Sequence, residues 1–237
     1  MPEHDIEAMA AAMAEAGDSP LHGYRGEFQA PGAGGPAGFT IAISREAGSR
    51  GTSIATRAGE KLGWEVYTQD MMDFVLQDVA VRKSLLEKLP ATTAAWIEQE
   101  LDRLPQSKTL SVNPTLRDLA RLVLLLGARG NVVLLGRGAG FLLPRRSTLH
   151  VRLVAPLEDR IAYFSQWMRL TNEEAADQVL KRDQRRAEFV SSHFHRKTSD
   201  VQAYDMVLNT SLLGEEHCAD LIVAAAKAKM SAIVGMD

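Results

Sequence analysis

Residues 41–55, IAISREAGSRGTSIA, set a short β-branched run against a turn of small residues and then a helical pattern. A strand that turns this tightly into a helix must pack that helix back on itself. That commits the chain to an α/β layout with a mostly parallel sheet. The strand is expected over Phe39–Ser44 and the helix over Ser53–Leu62. Such a strand–loop–helix can cradle an anion, because backbone N–H groups and the positive end of the helix converge on one point. The pattern G-x-x-x-x-G-K-[ST] that usually marks this loop is not met. Aligning the hydroxyls Thr52 and Ser53 puts Gly51 where the lysine belongs and Arg45 where the first glycine belongs. What remains is a nest over Gly48, Ser49, Arg50 and Gly51, two hydroxyls, and the guanidiniums of Arg45 and Arg50. An ordinary βα turn accounts for the same residues, and this segment alone leaves both readings open.

Later segments extend the α/β pattern. Glu65–Thr68 is a brief strand candidate, with helices expected over roughly 69–82, over 84–105 between Pro90 and Pro105, and from Asn113-Pro114 to about Ala128. Asn131–Leu135 (NVVLL) is a fully apolar run between glycines, as a buried parallel strand requires. Thr148–Val154 is the next strand, and Pro156 opens a helix to about Leu170. Thr171 and Glu174 have capping-box spacing for a further helix. Met206–Asn209 and Leu213–Met230 complete the alternation as strand and helix. Ligands of such sheets sit beyond the carboxyl ends of the strands. Both the 45–52 loop and Gly136–Gly140 are expected there.

Ahead of this domain, residues 5–16 read as a short Ala/Met-rich helix, and 17–38 as a Gly/Pro-rich linker. The domain division is therefore a flexible extension over 1–38 and a folded unit over 39–232. A net charge of −3 offers no global basic field for nucleic acid or a membrane surface. No apolar run approaches the ~20 residues of a membrane span, and the N-terminus lacks the basic start of a secretory signal. The single cysteine, Cys218, fits a reducing compartment and a buried thiol in a helix. These features place the protein in the cytoplasm.

Two further clusters carry chemistry. GRGAGF, Gly136–Phe141, follows the apolar strand and brings Arg137 to its end; close packing of the chain is the competing explanation for its glycines. In Lys181–Arg186, Arg182, Arg185 and Arg186 share one helix face and suit multidentate phosphate contacts. A solvated charged face is the alternative. His193 and His195 lack partners at metal-ligand spacing, and Arg160 reads as a surface or packing residue.

Taken in order, IAISREAGSRGTSIA, LGWEVYTQDMM, VVLLGRGAGFLL, VRLVAPLEDRI, the KRDQRR stretch and YDMVLNTSLLGEEHCADLI resemble the cytidylate kinase-like branch of the P-loop nucleoside-monophosphate kinases. The resemblance covers about residues 39–230. It implies a three-layer fold with a five-stranded parallel sheet, a helical monophosphate-binding region over roughly 69–128 and a lid over roughly 171–200. It further implies ATP and Mg2+ as cofactors and small nucleotides as partners. Gly48, Ser49, Arg50, Gly51, Thr52 and Ser53 would hold the donor, with Thr52 on the metal. Arg45, Asp70 and Arg137 would approach the acceptor, while Arg50, Arg182, Arg185 and Arg186 would act in transfer. Three departures stand out: Gly51 replaces the lysine, Leu135 replaces a strand-end aspartate, and Thr68 stands where an aspartate is usual, with Asp70 and Asp73 near it.

Transfer of a phosphoryl group depends on positioning and charge neutralisation, so an arginine can stand in for the lysine, and Arg50 is the first candidate. The expected activity is transfer of the ATP γ-phosphate to a (d)CMP-like monophosphate. Two alternatives remain: a nucleotide- or phosphate-binding regulatory module with little transfer, and a kinase for another small acceptor.

Overall fold

The computed structural model describes residues 38–78, 90–103 and 114–234. The expected N-terminal helix and its linker up to residue 37 lie outside these, as do the expected helical residues 79–82, 84–89 and 104–105.

Five strands form one sheet in which every pairing is parallel: β1 (Thr40–Arg45), β2 (Glu65–Tyr67), β3 (Val132–Leu135), β4 (Thr148–Val154) and β5 (Met206–Asn209), in the order β2-β3-β1-β4-β5. Between them run α1 (Gly51–Leu62), α2 (Gln69–Gln77), α3 (Ala91–Arg103), α4 (Pro114–Arg129), the short α5 (Ala139–Leu142), α6 (Leu157–Met168), α7 (Asn172–Phe194) and α8 (Thr210–Val234). Alternation along the strands divides the core in two. Ile41, Ile43, Val133 and Leu135 pack with Ala55, Cys218 and Ile222 of α1 and α8. Ala42, Val132 and Leu134 face Met72, Ile97, Val123 and Leu142 of the helices on the other side. Because side chains alternate with a period of two, β3 can be apolar throughout and feed both layers. Among the described residues no helix is long and apolar enough to cross a membrane.

Several element ends differ from expectation. α1 starts at Gly51 because Arg50 takes a left-handed conformation (φ 57) that turns the loop directly into the helix. α2 stops at Gln77, since Asp78 is extended. α8 begins at Thr210 but is interrupted at Gly214 (φ 75, ψ 168). Thr68 and Thr171 cap α2 and α7, the latter in a full capping box with Glu174.

Candidate functional site

The 45–52 loop is held by its own backbone. Glu46 N–H donates to the Leu153 carbonyl at 3.1 Å, and the Ser49 N–H and hydroxyl both turn back to the Glu46 carbonyl. Gly48 (φ 79) lies against the backbone of Arg160, where a Cβ would meet its carbonyl oxygen. Behind this turn, α1 has no side-chain cap and no acid in its first turn. Among the described residues nothing accepts from the backbone N–H groups of Gly51, Thr52 or Ser53. A helix start left this way presents its positive end and free donors to an external anion. The Thr52 hydroxyl is exposed beside them, whereas Ser53 donates to Glu215.

Arg45 runs from the end of β1 between two glycines. A Cβ on Gly51 would come within 2.9 Å of its Cγ, and one on Gly136 would meet its guanidinium. Gly51 therefore occupies the lysine position because the stem of Arg45 already fills the space a side chain would need. Burial and the neighbouring Arg186, Arg137 and Arg182 push the Arg45 guanidinium down to about 9, against the opposing pull of Asp70. Among the described residues no carboxylate lies within ion-pair distance of it. A half-buried cation pressed by like charges is unfavourable until an anion arrives.

Arg50 is placed differently. Its guanidinium sits 5.0 Å over the Tyr163 ring and 3.9 Å from Glu215. Arg137 (φ 54) pairs with Asp73 of α2, which brings to the β3 terminus the carboxylate that Leu135 does not supply. The Arg137 Nε is buried and has no partner among the described residues. Asp70 is exposed in the first turn of α2. The remaining glycines of the 136–140 loop serve packing: a Cβ on Gly138 would meet the Phe194 ring, and one on Gly140 the His150 ring.

α7 lies across this site. Arg186 reaches the Arg45 carbonyl at 3.5 Å, and Arg182 rests 5.0 Å over the Phe164 ring. Burial lowers the Arg186 guanidinium, with Arg182, Arg152 and Arg160 acting the same way and Asp183 opposing. Arg185 is exposed and stands apart from this group. Arg160 is not a surface residue: it is 8% exposed and bonds the Ala47 carbonyl at 3.1 Å, Asp183 at 2.5 Å and the Ala155 carbonyl at 3.0 Å. Glu46 faces it at 3.4 Å and also accepts from Ala155 N–H at 3.1 Å. Sequence reasoning passed over Glu46 and Asp183, while for Arg160, read as a surface or packing residue, the structure favours packing. For Asp183 a signal existed: it continues the buried stripe of Ala175 and Val179 at four-residue spacing, where an apolar side chain belongs.

His150 lies behind the loop, 5% exposed. Its Nδ1 is 3.1 Å from the Ala203 carbonyl, which can only accept, so Nδ1 carries the proton and Nε2 accepts from the Ser44 hydroxyl at 3.1 Å. Burial pushes the imidazole down to about 4, despite the Ala203 bond and Asp205. The unfolded chain therefore binds this proton first. The stability due to neutral His150 is complete above its ordinary value near 6.5 and is lost as pH falls towards 4. Urea unfolding should show a loss of about 2 kcal/mol between pH 7.5 and pH 5 from this group. In His150→Gln that part of the slope should disappear; an unchanged slope would assign it elsewhere.

A model of the cytidylate kinase-like family matches residues 40–212. A cytidylate kinase of Sulfolobus acidocaldarius is 29% identical over 105 residues, covering 44% of this chain and 58% of that protein. A uronate isomerase of Corynebacterium glutamicum is 26% identical over 153 residues, covering 65% of this chain and 30% of that protein. The chain thus spans less than two thirds of the length of either relative. A crystal structure of an uncharacterized protein from Eubacterium ventriosum superposes with a TM-score of 0.62 at 17% identity, covering 80% of this chain and 98% of that one. That likeness concerns the fold.

Proposed function

This chain belongs to the cytidylate kinase-like family, and from that premise we propose that it transfers the γ-phosphoryl group of ATP to a pyrimidine nucleoside monophosphate of the (d)CMP type. The observation that carries the reading is Arg45, a half-buried guanidinium with, among the described residues, no carboxylate at ion-pair distance, at the meeting point of β1, β3 and α7. The free N–H groups of Gly51, Thr52 and Ser53 and the orphaned Arg137 Nε fit phosphate oxygens on either side of it.

In this reading the start of α1 holds the donor phosphates, Arg137 orients the acceptor phosphate, and Asp73 fixes Arg137 in turn. An acceptor oxygen attacks the γ-phosphorus while its bond to the β-phosphate oxygen breaks. Arg45, Arg182 and Arg186 neutralise the charge that spreads over the moving group. The Thr52 hydroxyl would hold Mg2+ in part, and that ion would supply further neutralisation of phosphate charge. Arg45 takes over the charge of the missing lysine, reaching the phosphates from the strand side. Arg50, on Tyr163 and Glu215, serves at the rim of the donor site. The domain responsible is residues 39–232, with 1–38 as an extension.

The test incubates the protein with Mg-ATP and a panel of nucleoside monophosphates, follows ADP formation, and records thermal shifts in parallel. The expected result is stabilisation by ATP and turnover with a pyrimidine monophosphate. Stabilisation without turnover on any acceptor would instead support a regulatory nucleotide-binding module, and turnover only on a different small molecule would reassign the acceptor. No stabilisation by any nucleotide would remove the donor site.

A further inference from the structure

Asp183 stands on the buried face of α7, where Ala175, Val179, Asp183, Arg186 and Val190 succeed one another at helical spacing. A carboxylate there is unfavourable unless its lone pairs are filled. They are filled from two elements. One oxygen accepts from the Ala47 N–H at 2.7 Å and lies 3.8 Å from Arg186; the other accepts from Arg160 at 2.5 Å. Arg160 also donates to the Ala47 carbonyl. Both backbone polar groups of Ala47 are thus bound, the N–H by α7 and the carbonyl by α6. The Ala47 side chain packs with Phe164, Ala175 and Val179. Asp183 shares in the charge balance, because Glu46 is divided between Arg160 at 3.4 Å and Arg152 at 3.7 Å. What Asp183 adds to this is a hold on the loop amide.

We infer that Asp183 is a positioning residue that ties the phosphate loop to the lid helix, in the one register where Arg186 reaches Arg45. Its part in transfer rests on the phosphoryl-transfer reading; the tie itself does not. A lid moving freely over the site would bring its arginines to the loop only on closure. Here the first half of α7 is anchored to the loop by Asp183 and by the apolar contacts of Ala47, so the arginines arrive already in register. Positioning of this kind lowers the barrier by fixing reacting groups before the reaction.

Two variants separate shape from bonding. Asp183→Asn keeps an acceptor for Ala47 N–H and loses the charge against Arg160, while Asp183→Ala loses both. Glu46, which Arg160 shares with Arg152, stays beside it in each variant, and the melting temperature shows whether each variant keeps its fold. Hydrogen exchange of the loop over residues 45–53, with no ligand added, should rise about tenfold in Asp183→Ala and less in Asp183→Asn. Exchange in β4 should not change. Kinetically, kcat should fall about tenfold in Asp183→Ala, with the KM for ATP nearly constant and no further fall when Arg186→Gln is added. Unchanged loop exchange in Asp183→Ala overturns the tie, whatever the wild type does with nucleotides. Losses that multiply in the double variant overturn the route through Arg186. If the wild type turns over no acceptor, the phosphoryl-transfer reading fails and loop exchange alone decides whether the tie exists.

Discussion

Arg45→Met should lower phosphoryl transfer by about 10²–10³-fold, the usual effect of removing an oriented charge from a transfer site. It should do so without unfolding the protein. The methionine stem still fills the channel between Gly51 and Gly136 that Arg45 occupies. The variant also relieves the repulsion from Arg186, Arg137 and Arg182 that weighs on the native guanidinium. The melting temperature should therefore hold or rise while activity and ATP-induced stabilisation fall. This combination marks a residue kept for a ligand against the interest of stability. A rate within threefold of wild type would return the lysine's role to Arg50, and Arg50→Ala measured in parallel would show it.

Gly48→Ala should be the most damaging small substitution in the loop, at about 2–4 kcal/mol of stability. The added methyl group meets the backbone of Arg160, which cannot rotate aside, at a position with φ 79. Relief requires the loop to leave α6, which breaks the Arg160 bond to the Ala47 carbonyl and strains the Asp183 bond to its N–H. For a domain of this size the melting temperature should drop by roughly 4–15 °C. Gly63→Ala is the control, since Gly63 has a similar φ of 67 but open space around it. It should lose only about 1 kcal/mol from conformation. Equal losses in the two variants would show that backbone conformation, and not contact with α6, sets the requirement at Gly48.

The parts of the fold legible in the sequence are those governed by local periodicity. β4 and β5 have the bounds their patterns indicate, and the capping box of Thr171 and Glu174 forms at the start of α7. Apolar runs between glycines need burial on both faces, which only a central parallel strand provides. Helix ends were less legible. The start of α1 depends on Arg50 adopting a left-handed conformation, which the loop imposes and residue type does not. The glycines of 136–140 show the same limit. The pattern allowed a phosphate loop or close packing, and the rings of Phe194 and His150, distant in sequence, account for Gly138 and Gly140.

The sequence by itself determined the α/β alternation, the loop after β1 and the shared face of Arg182 and Arg186, because each follows from neighbours within a few residues. Only the tertiary structure decided how the cations around the loop are paired. Arg50, Arg137 and Arg160 meet Glu215, Asp73, and Glu46 with Asp183, each from a separate segment of the chain. Arg45 has, among the described residues, no carboxylate at ion-pair distance and feels only the more distant pull of Asp70. Charge pairing depends on distance in space. The missing lysine therefore identified a question in the sequence, and the packing of Arg45 between Gly51 and Gly136 supplies its physical answer.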